Sequence, residues 1–301
     1  MNQVIALAPA RPTRENPPGF AENRLKSALS DSLRARIGAL ERRSAEKAGR
    51  RGNAGQLILG LPAIDTHLPA TGLTRAALHE IAGTGVDREQ AAAAAAFAGL
   101  WLARLPAAAP VLWILRAAGS AGIDLHAHGL RHQGLDPGRL VLVAVRRNEE
   151  VLWAMEEGLK ARRLGAVIGE IGKLDLTASR RLQLAAEASG VMAIALRRWR
   201  LAREAERESA QPIAAATRWR IAALPAAPAA EPGLGARRWR AELWRCRGAK
   251  PGEWLVEVKN GPDGRSFGPA HAAAFPVDLA PPLGDGSLAA AAGGEKNRRA
   301  G

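Results

Sequence analysis

The sequence predicts an α/β fold in which a mostly parallel central sheet is flanked by helices. Short apolar runs of strand length recur through the middle of the chain with little polar alternation, as expected of strands buried on both faces. Segments of helical character separate these runs, and strands alternating with helices are typical of an open α/β sheet. The last third shows alternating strands instead, which indicates an antiparallel extension on the C-terminal side of the sheet.

The chain has 301 residues, 47% of them hydrophobic, enough for one large domain with appendages or for two small ones. No uncharged apolar run reaches the length of a membrane span, since the longest, which begins at Ala91, ends at Arg104. The N-terminus has no basic stretch ahead of its short apolar patch, unlike a signal peptide. The single cysteine, Cys246, excludes an internal disulfide framework and a cysteine-based zinc site. We therefore expect a cytoplasmic protein without a membrane partner.

The net charge of +14 is concentrated in two flanks of a nearly neutral centre. Residues 1–55 carry +6 and residues 197–250 carry +8, whereas residues 56–196 carry only +1. A GC-rich genome accounts for the preference for arginine over lysine, but not for this segregation. Because basic surfaces attract polyanions, nucleic acid or an acidic protein is the expected kind of partner.

Four regions follow one another along the chain. Residues 1–22 and the tail at residues 259–301 are expected to be disordered. Residues 23–55 comprise a basic amphipathic helix and a linker, and we expect the helix to dock either on its own domain or on a partner. The apolar positions of this helix recur at three- and four-residue spacing: Leu25, Leu29, Leu33, Ile37 and Leu40. Residues 56–258 form the α/β domain.

This domain is organised around the stretch from Leu78 to Leu105, which has the pattern of a strand, a glycine-bearing turn and a long helix. Alternation from Leu78 indicates the strand, and six consecutive alanines from Ala91 indicate the helix. A strand, a short glycine turn and a helix N-terminus together form a concave group of backbone N–H donors that suits phosphate.

The remaining elements follow in order. Four further buried strands are predicted at Val111–Leu115, Leu140–Val145, Ala166–Ile168 and Val191–Leu196. Helices are predicted at Glu149–Arg163, whose charges match the helix dipole, and at Leu176–Ser189, which Gly190 ends. The alternating strands are Thr217–Leu224, Arg237–Arg247 and Glu253–Lys259, the last two paired across a glycine-containing turn.

In this order the residues resemble the core of RecA-type recombinases. More narrowly, LGLPAID, LHEIAG, MEEGL, LDLTASRRLQLAAEASG, TRWR and WRCRG resemble the ImuA family of RecA-like accessory proteins in bacterial mutagenic translesion synthesis. The resemblance covers residues 56–258, and LDLTASRRLQLAAE is its most specific part. It implies a RecA-like fold and a part in the SOS response to DNA damage. The implied partners are ImuB, an error-prone replicative-type DNA polymerase and RecA, and the implied location is the cytoplasm or nucleoid.

The phosphate loop that the resemblance implies lacks its working side chains. The vestigial loop comprises Gly83, Thr84, Gly85, Arg88, Glu89 and Gln90. The phosphate-loop pattern GxxxxGK[ST] requires a glycine, a lysine and a hydroxyl where Arg88, Glu89 and Gln90 stand. Glu89 would place a carboxylate against the phosphates, and two unit charges about 4 Å apart interact by roughly 4 kcal/mol at an effective dielectric of about 20. The sequence thus predicts that the fold is retained and the ATPase lost.

The other nucleotide motifs are equally incomplete. Arg116 ends a strand near where a recombinase places a catalytic glutamate, and only Glu170 stands where its metal-linked aspartate would be. One acid without lysine, hydroxyl or base does not make a hydrolase, so we expect neither catalysis nor a cofactor. Glu89 suits the first turn of a helix on dipole grounds alone, which favours a turn kept only for packing. Weak nucleotide binding through the amides of Gly83–Gly85 is the minority alternative.

Tryptophans flanked by arginines recur as RWR triplets at 198–200, 218–220 and 238–240. On a strand, alternate side chains point to opposite faces, so we expect Trp219 and Trp239 in the core and the arginines outside. The candidate contact residues on that outer face are Arg218, Arg220, Arg238, Arg240 and Arg245. Aligned on adjacent strands, they would form a basic stripe for a phosphate backbone or for an acidic partner.

Three further features weigh against a recombinase or a metalloenzyme. The connection Gly169–Asp175, where recombinases carry a first DNA loop, is short, and Arg200–Pro212 has the mixed charges of a solvated helix. The histidines at 126, 128 and 132 have only Asp124 as a nearby acid, so no metal site is expected.

Two alternatives to the accessory role remain. The first, an active RecA-like DNA-dependent ATPase, is opposed by Arg88, Glu89 and Gln90. The second is a SulA-type SOS cell-division inhibitor, a class related to the RecA fold. Its sequences are much shorter and lack the long basic flanks of this chain.

Overall fold

The structure is a computed structural model that describes residues 55–116, 125–131, 133–226 and 236–258, together with the backbone of two short edge strands, β1 (Val4–Ala6) and β12 (Val277–Leu279). These strands fall within the terminal regions for which the sequence predicts disorder. The predicted amphipathic helix at residues 23–43 lies outside the described residues, as does the rest of the tail.

The strands of the domain are β2 (Gln56–Leu57), β3 (Leu73–Thr74), β4 (Leu78–Gly83), β5 (Val111–Arg116), β6 (Leu140–Val145), β7 (Ala166–Ile171), β8 (Met192–Arg197), β9 (Thr217–Leu224), β10 (Arg237–Cys246) and β11 (Gly252–Val258). The helices are α1 (Pro62–Asp65), α2 (Asp87–Ala103), α3 (Ala127–Arg131), α4 (Asn148–Lys160), α5 (Leu176–Ser189) and α6 (Ala202–Ser209). The predicted strand–turn–helix around the glycine turn is thereby confirmed as β4, a short turn and α2.

The main sheet has the strand order β1-β6-β5-β7-β8-β4-β9-β10-β11-β12. Its strands from β1 to β9 pair in parallel, and those from β9 to β12 pair in antiparallel fashion. This confirms the predicted fold class, a mostly parallel central sheet flanked by helices with an antiparallel extension at its C-terminal side. The chain leaves β4, passes over β7 and β8, and returns in β5, so the carboxyl ends of the central strands meet at one edge of the sheet.

The largest differences from the predicted boundaries, three residues each, are at the ends of β7 and α4. Strand β7 extends three residues beyond Ala166–Ile168 because Glu170 and Ile171 pair with the end of β8. Helix α4 ends at Lys160 instead of Arg163, since Ala161 leaves the helical conformation. Helix α5 begins and ends where predicted, with Gly190 in the left-handed region after its last turn.

The two faces of the sheet are covered by layers of different chemistry. On the face of α2, an aromatic cluster joins this helix to the antiparallel extension through Phe97, Trp101, Trp219, Trp239 and Trp254. On the face of α4 and α5 the core is mainly aliphatic. The prediction that Trp219 and Trp239 lie in the core is confirmed, with exposures of 0% and 4%.

A series of buried hydrogen bonds lies beside the aromatic cluster. The Trp219 Nε1–H donates to Thr217 Oγ1 at 3.0 Å, and Thr217 Oγ1 lies 2.8 Å from His79 Nδ1. His79 Nε2 lies 2.8 Å from the Thr74 carbonyl, an arrangement that suits a neutral imidazole with its proton on Nε2. Burial lowers the pKa of His79 to about 4, so the ring is neutral at physiological pH.

A buried ionic network joins β4, β8 and β9 on the opposite face. Glu80 of β4 is paired with Arg218 of β9 and lies 3.3 Å from Arg197 of β8. Arg197 also lies 3.3 Å from Glu208 of α6, whose side chain is 6% exposed. The expectation of a solvated helix here is therefore wrong for Glu208, because this carboxylate turns inward to neutralise a buried arginine.

Replacing Trp219 by alanine should lower the free energy of unfolding by about 3–5 kcal/mol, the usual cost of removing a buried aromatic side chain. The ring contacts Phe97 and Trp101, and its loss would leave a cavity between α2 and β9. Urea denaturation of the full chain measures this change.

The matched control is Trp244→Ala on the outer face of β10, where the ring is half-buried. We expect a loss of about 1–2 kcal/mol there, mostly from cation–π contacts. Equal costs at the two positions would contradict the assignment of Trp219 to the core.

Candidate functional site

The turn between β4 and α2 has the outline of a phosphate cradle, but four amides of this turn and of the first turn of α2 donate within the chain. Thr84 N–H donates to the Ile221 carbonyl at 3.1 Å, and Asp87 N–H donates to the Trp199 carbonyl at 2.8 Å. In the first turn of α2, Glu89 N–H and Gln90 N–H both point to the Val86 carbonyl, at 3.1 and 3.2 Å. A phosphate would have to compete with these hydrogen bonds, which a working phosphate loop leaves open.

Gln90 fills the concave side of the turn. A Cβ on Gly83 would lie 2.6 Å from the Gln90 Cβ, so only glycine fits beneath this side chain. The Gln90 Oε1 accepts a hydrogen bond from Ala223 N–H of β9 at 2.7 Å. The residue that stands where a phosphate loop has its magnesium-binding hydroxyl therefore ties the turn to the neighbouring strand.

Glu89 is exposed and lies over the same turn. Its Oε2 is 3.5 Å from the position that a Cβ on Gly85 would occupy. The carboxylate therefore lies beside the Gly85 end of the turn. Arg88 belongs to the first turn of α2, and its side chain lies outside the described part of the structure.

Glu170, at the end of β7, is engaged by an arginine. Its Oε1 accepts a hydrogen bond from Arg198 Nη2 at 2.6 Å, and its Oε2 accepts one from the Arg116 backbone N–H at 3.3 Å. Arg198 Nη1 also donates to the Ala91 carbonyl of α2, at 3.1 Å. With side-chain exposures of 5% and 6%, Arg198 and Glu170 form a buried ion pair between β7 and α2. The acid that would hold a metal ion in a nucleotide site is therefore already neutralised.

Two more side chains complete this edge of the sheet. Arg116, where a recombinase would have its catalytic base, donates from Nη2 to the Arg198 carbonyl at 3.2 Å. Burial raises the pKa of Asp87 to about 6, against the opposing effects of Arg198, the Trp199 backbone and Arg116. The edge thus holds two arginines and two carboxylates whose described contacts are with one another and with the backbone.

The short connection after β7 is fixed by hydrogen bonds. Asn148 Oδ1 accepts from the amides of Gly172 and Lys173, at 2.9 and 3.1 Å, and its Nδ2 donates to the Lys173 carbonyl at 2.8 Å. Trp199 Nε1 donates to the Gly172 carbonyl at 2.9 Å. The segment at the position of a recombinase's first DNA loop is held from both sides.

Arg198, Asp87 and Asn148 were not singled out as site residues by the sequence. Arg198 follows β8 directly in the chain, which makes it a strand-end residue like Glu170 and Arg116. A search for charged residues at predicted strand ends would have found it. Its pairing with Glu170 depends on β7 lying beside β8, and this strand order is set by the tertiary structure.

The five predicted contact arginines lie on one face of the antiparallel extension, away from the aromatic core. The register places Arg245 opposite Arg218, Arg220 opposite Glu242, and Arg240 opposite Ala222. A bulge at Trp244 keeps Arg245 on this face. The Trp244 ring packs against two guanidinium groups, with centroid distances of 4.1 Å to Arg218 and 4.3 Å to Arg220.

Two of the five are engaged within the fold. Arg218 is 2% exposed, is paired with Glu80 and donates to the carbonyls of Ser209 and Gln211, both at 3.0 Å. Arg238 Nε lies 2.8 Å from Glu257 Oε2. The surface that we call the arginine face therefore consists of Arg220, Arg240 and Arg245.

Acidic side chains share the sheet surface with the arginine face. Glu242 of β10 is directly opposite Glu253 of β11, and Glu257 lies further along the same strand. The exposed charge is therefore mixed and not a continuous basic stripe. Among residues 55–116, 125–131, 133–226 and 236–258, no group of three or more histidine, cysteine or acidic side chains could hold a metal ion.

Replacing Asp87 by asparagine should stabilise the chain at pH 8, with a gain that disappears below about pH 4. The carboxyl has a folded pKa near 6, raised from 3.8, so it favours the folded state when protonated and opposes it when ionised. The stability it contributes is complete below the unfolded pKa and is lost as the pH rises through the folded value. Chemical denaturation of both proteins from pH 4 to 8 measures the difference, and a gain that grew toward low pH would contradict it.

Comparison with known proteins agrees with the resemblance noted in the sequence. The chain is 35% identical over 255 residues to Protein ImuA of Caulobacter vibrioides strain NA1000 / CB15N, covering 83% of this chain and 99% of the relative. The same values hold for Protein ImuA of strain ATCC 19089 / CIP 103742 / CB 15.

Among solved structures, the KaiC-like protein PH0186 of Pyrococcus horikoshii OT3 is 13% identical, with a TM-score of 0.44 over 76% of this chain and all of that one. No protein-family model matches the chain. None of the helices within the described ranges has the length and apolar character needed to cross a membrane. An identity of 35% across nearly the whole of the two Caulobacter relatives shows that this chain belongs to the ImuA family.

Proposed function

We propose that the chain is a non-catalytic accessory protein of SOS-induced mutagenic translesion DNA synthesis. It acts by docking on ImuB and on an error-prone replicative-type DNA polymerase, with RecA as a further partner. It works in the cytoplasm and joins the nucleoid when these partners are on DNA. Membership of the ImuA family supports the proposed role in mutagenesis. The chemistry of the sheet edge supports a non-catalytic mode of action.

The observation that carries the proposal is the buried pair between Arg198 and Glu170. A nucleoside-triphosphate hydrolase needs a cation for the phosphates, a metal-bound hydroxyl, an acid for the metal and a group that activates water. Here Glu89 and Gln90 replace the first two, and Glu170 is bound to Arg198. Arg116 stands in place of the activating base. All of these residues, which stand in place of the groups that a hydrolase needs, favour a structural role for this edge of the sheet.

DNA contact is a second candidate activity, favoured by the net charge of +8 in residues 197–250. The arginine face adds the exposed Arg240 and Arg245 of β10 and the half-buried Arg220 of β9, cations of the kind that contact a phosphate backbone. Its acidic neighbours Glu242, Glu253 and Glu257 favour a protein partner of mixed charge instead. We therefore place protein docking first and DNA contact second.

The purified chain should hydrolyse no ATP, with or without single-stranded DNA, and ATP should not shift its thermal unfolding. The reason is that the amides of Thr84, Asp87, Glu89 and Gln90 donate within the chain and that Glu89 repels phosphate. A phosphate-release assay and a thermal-shift titration with Mg-ATP measure the two effects. A DNA-stimulated ATPase that Glu170→Gln abolished would identify the chain as an active RecA-like enzyme.

Reversing the charge of the arginine face in Arg220→Glu, Arg240→Glu and Arg245→Glu together should weaken capture of ImuB about tenfold or more. The control reverses three exposed arginines elsewhere, Arg162, Arg163 and Arg180, and should change capture less than about twofold. Pull-downs of the full chain against ImuB, the polymerase and RecA measure this effect.

The same variants test the competing functions. Affinity for single-stranded DNA that falls steeply with salt and disappears in the triple variant would favour DNA contact. Filamentous cells on overproduction, without a defect in induced mutation on deletion, would instead identify a SulA-type division inhibitor. Equal loss of ImuB capture in the triple variant and its control would reject the arginine face as the docking surface.

A further inference from the structure

Arg75, in the bend between β3 and β4, is a buried cation without a counter-charge among the described residues. Only 8% of it is exposed, and its Nε and Nη2 are enclosed without a hydrogen-bond acceptor. Burial lowers the pKa of its guanidinium, and no neighbouring carboxylate raises it again. An arginine does not lose its proton in a protein, so this charge persists in the interior.

The other buried arginines of the described chain are all paired with glutamate. Arg197 lies 3.3 Å from both Glu80 and Glu208. Arg198 lies 2.6 Å from Glu170, and Arg218 is paired with Glu80. The fold therefore neutralises buried guanidinium groups with carboxylates, and Arg75 is the exception. An unpaired buried charge is costly, and a site that keeps one is typically completed by a ligand or a partner.

The carboxylates of α1 and α5 are already engaged. Asp65 of α1 accepts hydrogen bonds from the amides of Leu59 and Leu61, at 2.8 and 2.9 Å. Glu187 of α5 accepts one from Gln183 Nε2 at 2.6 Å, and Gln183 Oε1 in turn accepts from Leu78 N–H at 2.8 Å. Neither is bonded to Arg75.

Exposed cations lie at the same edge of the sheet. Ala216 N–H donates to the Leu78 carbonyl at 2.7 Å, and Arg247 N–H donates to the Ala216 carbonyl at 2.8 Å. These bonds bring the turn after β10, with the exposed Arg247 and Lys250, to the edge of the sheet where β4 begins at Leu78, three residues after Arg75. This edge is opposite to the one that holds Glu170. Its positive potential would attract an anionic group toward the buried guanidinium.

We propose that Arg75 anchors a docking site for an aspartate or glutamate side chain of a protein partner. A phosphodiester is flanked by sugars on both sides and fits poorly against a guanidinium that is almost entirely enclosed. A single carboxylate at the end of a side chain is narrow enough to meet Arg75 at Nη1, the one guanidinium nitrogen that is not enclosed. This proposal specifies one contact of the proposed docking function, on which it rests. The site is separate from the arginine face.

The test compares the wild-type full chain with Arg75→Met, Arg75→Lys and the control Arg163→Met, which removes an exposed charge elsewhere. Arg75→Met should raise the thermal unfolding midpoint of the free chain, because it replaces an unpaired buried charge by an apolar group. The same variant should bind poly-L-glutamate about tenfold more weakly than Arg163→Met does. Arg75→Lys should retain part of the binding, and oligothymidylate affinity should fall equally in Arg75→Met and Arg163→Met.

Three results would overturn the proposal. A lower unfolding midpoint for Arg75→Met would mean that the acceptor lies within the chain. Equal weakening of polyglutamate binding by Arg75→Met and Arg163→Met would mean that the loss arises from the change in net charge and not from a site at Arg75. A loss confined to oligothymidylate would identify a nucleic-acid contact. These measurements use no ImuB, so a wild-type chain that failed to capture ImuB would reject the proposed function without deciding the role of Arg75.

Discussion

The ion pair between Arg198 and Glu170 is the interaction on which the chemistry of this protein depends. It joins the ends of β7 and β8, and through the Ala91 carbonyl it also holds the start of α2. In an α/β sheet this edge is where ligands bind, because the carboxyl ends of the strands and the helix N-termini meet there. Here a guanidinium from the chain occupies that place. This edge is therefore a structural junction between β7, β8 and α2.

Arg197, which precedes Arg198 in the chain, forms the corresponding ion pairs on the other face of the sheet. Arg197 points away from Arg198, as successive residues near a strand end do, and it contacts Glu80 and Glu208. Two consecutive arginines thus fix α2 on one side and α6 on the other. The excess of arginine in the C-terminal flank suggests a surface that binds polyanions, but part of this excess is buried in the interior. The positive charge left for partners is smaller than the net charge suggests.

The surfaces that remain differ in character. The arginine face presents Arg220 and Arg240 beside glutamates, which suits a partner whose own charges are mixed. The opposite end of the sheet holds the largely buried Arg75, which has no counter-charge among the described residues and which we propose to pair with a single carboxylate of a partner. For the proposed docking role, surfaces of different chemistry are an advantage, because each can exclude partners that satisfy the other.

The sequence by itself determined the fold class, the strand–turn–helix at Gly83 and the loss of the phosphate-loop side chains. These are local features, set by hydrophobic periodicity, glycine conformation and residue identity over a few positions. The burial of Arg218 and the pairing of Arg198 with Glu170 came only with the tertiary structure. Both depend on which strands are neighbours, and strand order joins residues far apart in the chain, beyond the range of any local pattern. Tertiary contacts alone decided which arginines are structural and which remain free for partners.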